Sequence, residues 1–173
     1  MLSATLFNPV RARWTDVRTY LFIGLFAIGN LLLPQLCHFI PSGGKMFLPI
    51  YFFTLIAAYK FGPRVGLATA VLSPVLNALL FGMPPMAVLP IILIKSTLLA
   101  VIASYMATYK KLSLLYVLAV VLGYQVTGSA IEWVMDGSFA AATSDFTIGI
   151  PGMAIQVFGG WALLKKLAAY EQV

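Results

Sequence analysis

The fold class this sequence predicts is an all-α integral membrane bundle of six transmembrane helices, and three observations predict it. First, 61% of the 173 residues are hydrophobic, only 9% are charged, and the mean hydropathy is +0.97. A soluble domain carries about 25% charged residues, so this chain lacks the polar side chains to cover a globule of its size. Second, the apolar residues fall in long runs that do not alternate with period two, which favours helices over a β-barrel. Third, the cations lie beside those runs and mostly on one side of them. The net charge of +6 is therefore a topology signal, not a nucleic-acid-binding surface.

In chain order, residues 1–18 form an N-terminal segment carrying Arg11, Arg13 and Arg18. No small-residue cleavage site follows a short apolar core, so no cleavable signal peptide is expected. The first apolar segment covers 19–40. The second, 46–59, is several residues short of the roughly 20 needed to cross ~30 Å of hydrocarbon. The third covers 63–82, the fourth 86–108, the fifth 112–135 and the sixth 146–164. All loops are short, and the chain reads as a single membrane domain, 1–173. Between the second and third segments, "YKFGPRVG" predicts a tight turn: Gly62 permits the reversal and Pro63 opens the next helix where no donor is needed.

If the N-terminus is cytoplasmic, nine of the eleven cations share its side: Arg11, Arg13, Arg18, Lys60, Arg64, Lys110, Lys111, Lys165 and Lys166. Lys45 falls in an outer loop and Lys95 inside a span. Both termini are then cytoplasmic.

The polar residues inside spans concentrate in the outer halves. Asn30 and His38 lie on the first span, Asn77 on the third and Lys95 on the fourth. The fifth carries Gln125, Ser129, Glu132 and Asp136 at spacings of four, three and four, one helical face, with Tyr124 and Trp133 beside it. On the sixth, Gly149, Gly152, Gln156 and Gly160 share a face. Polar groups in hydrocarbon cost a few kcal/mol each and turn toward protein or a watery cavity. Their convergence predicts an outward-opening pocket lined by Asn30, His38, Lys45, Asn77, Lys95, Tyr124, Gln125, Ser129, Glu132, Trp133, Asp136 and Gln156. The plain alternative for each is an interhelical hydrogen bond worth about 0.6 kcal/mol; for Lys95 it is an ion pair with Glu132. No fixed spacing of His, Cys and acids supports a metal site, and the single Cys37 excludes an internal disulfide. Small residues at Gly62, Gly66, Ala70 and Pro74, and at Ala100, Ala103 and Ala107, read as close packing within the bundle. Gly24 and Ala27 are candidate contacts for a partner subunit.

The stretch "LPIYFFTLIAAYKFGPRVGLATAVLSPVLNALLFGMP" carries a resemblance. Pro49 leads the second helix, Phe61, Gly62, Pro63 and Gly66 form an FGP-x-x-G turn, and Asn77, Leu79 and Gly82 end the third helix. In these features, and in its six short helices, the chain resembles the substrate-binding S component of energy-coupling factor (ECF) vitamin transporters. The resemblance implies a bundle in a bacterial or archaeal cytoplasmic membrane that binds a vitamin or precursor at its outer side. It also implies a membrane scaffold subunit and two ATPase subunits as partners. The family's Ala-x-x-x-Ala scaffold contact is not matched by Gly24–Gly29, which leaves solitary operation as an alternative.

The chain has no G-x-x-x-x-G-K-[ST] loop and no Ser-His-Asp set, so neither ATP hydrolysis nor other catalysis is expected of it, and no cofactor. A six-span morphogenesis protein resembling MreD, with no ligand, is the other class left open. Three ligand chemistries remain. Glu132, Asp136 and Asp145 suit a cation such as thiamine, with Trp133 and Tyr124 stacking on its ring. Lys45 and Lys95 suit a carboxylate. His38, Cys37 or Met83 could approach the cobalt of a corrinoid.

Overall fold

The computed structural model describes residues 12–170. Arg11 lies outside the described residues, as does the side chain of Asp145.

The first helix, α1 (Val17–Cys37), starts at Asp16, whose carboxylate accepts from the Arg18 N–H at 2.9 Å. Its buried face carries Thr19, Ile23, Phe26, Ala27, Asn30 and Pro34. Its exposed face carries Leu21, Leu25, Ile28, Leu32 and Leu36. A helix in water shows the opposite arrangement; apolar outside with polar groups inside is what a lipid solvent selects.

After the short α2 (Gly43–Phe47), α3 (Pro49–Phe81) is broken at Gly62, whose φ of 78° and ψ of −171° lie in a region that only glycine enters freely. The chain doubles back there. A Cβ built on Gly66 would sit 2.5 Å from the Ala58 Cβ, whereas residues eight apart on a straight helix are separated by about 12 Å. The sequence-predicted second and third segments are thus the two arms of a helical hairpin, pressed together at Ala58 and Gly66. Arg64 at the turn donates from Nη1 to the Ala12 carbonyl at 2.7 Å, tying the N-terminal segment to this end. Lys60 is buried beside it.

Two further long helices follow: α4 (Leu89–Tyr109) and α5 (Leu114–Asp136), the latter capped by Ser113, whose side chain accepts from the Tyr116 N–H. The sixth segment is not one straight helix. It divides into α6 (Phe139–Ile148), α7 (Ile150–Ala154), a π-helical turn (Ile155–Gly159) and α8 (Gly160–Tyr170). The bend between Ala142–Ile148 and Ile150–Ala169 is 55°. It falls at Gly149 and Pro151, where a proline suits the start of a new helix and not the interior of an old one.

The bundle is all helical among the described residues, and its second segment is short, as expected. Four helices are long and apolar enough to cross a membrane, or five if the bent pair is one span. One of the four is the folded Gly43–Phe81 unit. Its first arm, Pro49–Phe61, is about 20 Å long at 1.5 Å per residue and does not reach across the hydrocarbon.

The core lies where the hairpin meets α4 and α5. Leu55, Ile56, Tyr59, Val65, Leu99 and Val117 are fully buried there. Ala70, Pro74, Ala100, Ala103 and Ala107 are buried too, and Ser104 Oγ donates to the Ala58 carbonyl at 3.2 Å. The small-residue stripes therefore serve internal approach. Ala27 belongs to the same interior at 4% exposure, which corrects its assignment as a partner contact: it packs within the bundle. Gly24 is half-buried, and a Cβ there would meet nothing within 4 Å.

Candidate functional site

The polar interior opens at the end of the bundle opposite the Gly62 turn. Five parts of the chain surround a cavity of about 260 Å³: the end of α1, the α2 segment, both ends of the hairpin with the loop that follows it, the start of α4, and Glu132 of α5. The wall is mostly apolar. Of the sequence-predicted residues, the lining includes His38, Lys45, Asn77, Lys95, Glu132 and Met83.

Lys95 and Glu132 form an ion pair at 2.7 Å, with their side chains 3% and 13% exposed. The pair fits because α5 has glycine at position 128. A Cβ there would lie 2.5 Å from the Lys95 Cγ, so the lysine stem runs over Gly128 toward its carboxylate. Charges this deep are tolerated only when paired. Asn77 is 1% exposed, and its Nδ2 donates to the Asn30 carbonyl at 2.9 Å and the Ser73 carbonyl at 3.0 Å. Its Oδ1 has no hydrogen-bond partner. His38 is exposed and donates from Nδ1 to the Pro34 carbonyl. Lys45 is exposed at the rim.

Other predicted residues lie elsewhere. Asn30 is fully buried and outside the lining. Its Nδ2 donates to Thr54 Oγ1 at 2.9 Å and Ser73 Oγ at 3.1 Å, and its Oδ1 accepts from the Phe53 N–H at 3.2 Å. It clamps α1 to both arms of the hairpin. Tyr124 and Gln156 are fully buried, and the tyrosine hydroxyl donates to Gln156 Oε1 at 3.0 Å. The Tyr124 ring rests against Tyr51, centroids 5.3 Å apart, and Tyr51 lines the cavity. These two residues thus stand behind the wall. Gln125 is fully buried, and neither its amide oxygen nor its amide nitrogen has a partner; the Ser129 hydroxyl also lacks one. Both are outside the lining, as is the half-buried Cys37.

The α5 stripe is therefore divided. Gln125 is in the core and Glu132 in the cavity wall, while Asp136 is exposed at the last residue of the helix. Trp133 is 48% exposed and meets Phe139 edge-on at 5.3 Å. Both fall outside the lining. Among the described residues, no group of three or more His, Cys, Asp or Glu could hold a metal ion.

The sequence reading missed the apolar wall: Tyr51, Ile92, Pro84 and their neighbours. It noted the Gly152 face but not its role. A Cβ on Gly152 would lie 2.5 Å from the Phe47 carbonyl carbon and oxygen, so this glycine seats the α2 segment that forms one side of the cavity. Leu48, next in that segment, takes a left-handed φ of 48°, a conformation costing roughly 1–2 kcal/mol for a non-glycine residue.

Residues 17–165 match the family described as ECF transporter, substrate-specific component. The chain has no match among curated proteins or among solved structures.

Proposed function

Because this chain belongs to the family of ECF transporter substrate-specific components, a multi-pass membrane subunit of transport and not an enzyme, we propose that its cavity holds the substrate, a vitamin or related micronutrient, with high affinity at the outer face of the membrane. The observation that carries this reading is the placement of a buried ion pair and an unsatisfied Asn77 carbonyl at one end of the bundle, in a wall that is otherwise apolar. Small-molecule sites have this composition: an apolar enclosure and a few fixed polar groups.

The cavity end is outward in this reading and the Gly62 turn is cytoplasmic, with both termini. Support comes from the cation count and from the Arg64 contact with Ala12, which holds Ala12, next to Arg13, at the turn. The bacterial or archaeal cytoplasmic membrane is the proposed location. Family membership also brings ECF module components as partners. We assign ATP hydrolysis to those subunits, and a scaffold subunit is the proposed neighbour of α1 near Gly24. Membership favours transport over a ligand-free scaffolding role.

Cavity size bears on the substrate. At about 260 Å³ it lies near the low end of the roughly 300–1,000 Å³ of small-molecule pockets, which favours a compact vitamin. Native mass spectrometry of the purified chain, beside an Ile92→Trp variant that fills the cavity, tests the site. A small molecule retained by the wild type and absent from the variant is expected; equal retention would move the site elsewhere.

A further inference from the structure

The polar groups of the cavity wall are unbalanced, and the imbalance describes the molecule that fits between them. Asn77 cannot turn its amide over. Its Nδ2 serves the carbonyls of Asn30 and Ser73, and the reverse orientation would set oxygen against both oxygens. The amide therefore keeps Oδ1 as an acceptor with no donor, at a cavity-lining residue that is 1% exposed. Buried carbonyl oxygens seldom stay unsatisfied, because desolvation without a replacement bond is costly. This feature calls for an N–H or O–H, not for another acceptor.

Charge points the same way at the other end. Among the described residues Glu132 is the one acid in the lining, and Lys95 already neutralises it. Asp136, which a cationic ligand would need, is exposed outside the lining. Lys45 is exposed at the rim and has no ion-pair partner among the described residues. Among the described residues the lining thus carries net positive charge at its mouth, with the buried Asn77 acceptor beneath it.

Resting on the reading of this cavity as the substrate site, we propose that the substrate is a compact molecule with an N–H or O–H donor at its inner end and a carboxylate at its outer end. The donor meets Asn77 Oδ1, the carboxylate meets Lys45, and an apolar middle lies against Tyr51, Pro84 and Ile92. A cationic vitamin is rejected, since it would face Lys45 and find Glu132 already paired.

The test uses the full chain in nanodiscs and isothermal titration with five probes: p-aminobenzoate, biotin, pantothenate, thiamine and cyanocobalamin. The first three carry both the donor and the carboxylate. At least one should bind, and its methyl ester should bind roughly tenfold more weakly, the loss expected for a charge-assisted hydrogen bond. Its N- or O-methylated counterpart, with the donor masked, should weaken as well. Asn77 also holds helices together, so the variant of choice is the exposed Lys45→Gln. It should weaken the acid roughly tenfold and leave the ester unchanged. An ester as tight as its acid, or a Lys45→Gln loss shared equally by acid and ester, overturns the proposal. So does the absence of binding by all three acids. If thiamine or cyanocobalamin binds instead and Ile92→Trp abolishes it, only the substrate class is wrong and the cavity assignment stands. If no probe binds and native mass spectrometry finds the chain empty, both fall.

Discussion

Replacing Asn30 by leucine separates a structural role from a ligand role at a residue whose sequence position suits either. The side chain makes three hydrogen bonds, to Thr54, Ser73 and the Phe53 N–H, and is fully buried. Side-chain hydrogen bonds between membrane helices average about 0.6 kcal/mol each, so their loss alone is worth about 2 kcal/mol. The Ser73 hydroxyl loses the amide partner it had in the interior, which adds about 1 kcal/mol. Leucine has the same number of side-chain heavy atoms, so no cavity is emptied, but its bulkier methyl groups replace amide atoms held at hydrogen-bond distance and add an overpacking cost of about 1 kcal/mol or more. A total of about 4 kcal/mol corresponds to roughly 8–16 °C for a chain of this length. The assay is thermal unfolding in detergent, paired with titration of the ligand the wild type retains. The bonds from Asn77 survive, since they go to the Asn30 backbone carbonyl, and affinity should change less than about threefold, well within the tenfold that 1.4 kcal/mol represents. Unchanged thermal stability with abolished binding would refute the clamp and return Asn30 to the binding site.

Three further outcomes follow from the same geometry. Glu132→Gln and Lys95→Met should each cost about 3 kcal/mol by leaving a buried charge without its partner, and the double variant should recover most of that in unfolding titrations; additive losses would show that the 2.7 Å pair is not coupled. Gly152→Ala should cost about 1–3 kcal/mol by overpacking against the Phe47 backbone and should weaken ligand binding, while unaltered affinity would detach the α2 segment from the site. Trp133→Ala should leave binding unaffected, because its half-exposed ring meets Phe139 outside the cavity, and a loss of affinity would extend the site to the outer end of α5.

The order of apolar runs and the Gly62–Pro63 turn were legible because glycine and proline act through local backbone geometry, which neighbours rarely override. The length of each span was less so. Pro49–Phe61 is too short to span by its own hydrophobic length, and the 55° bend at Gly149 and Pro151 divides a sixth segment that reads as one apolar run. The polar residues of the site stood out against an apolar chain, yet their roles did not. Asn30 and Asn77 look alike in sequence, but one holds three helical segments together and the other lines the cavity with an acceptor to spare. Burial depth divides the α5 stripe, and depth is set by tertiary packing that spacing along one helix does not report. The apolar wall was invisible for the opposite reason: in a chain that is 61% hydrophobic, Tyr51 or Ile92 carries no contrast.

Transport puts the whole account to the test. The cavity lies at the end of the bundle opposite the Gly62 turn, and in the proposed reading a substrate held there crosses only when partner subunits reorient the chain. Uptake into liposomes should be measured for this chain alone, and for the chain with the scaffold and ATPase subunits of an ECF module and internal ATP. The chain alone should bind the substrate and not accumulate it, and accumulation should appear only with the partner subunits and ATP. Concentrative uptake by the chain alone under an ion gradient would contradict the assignment and make it a secondary transporter.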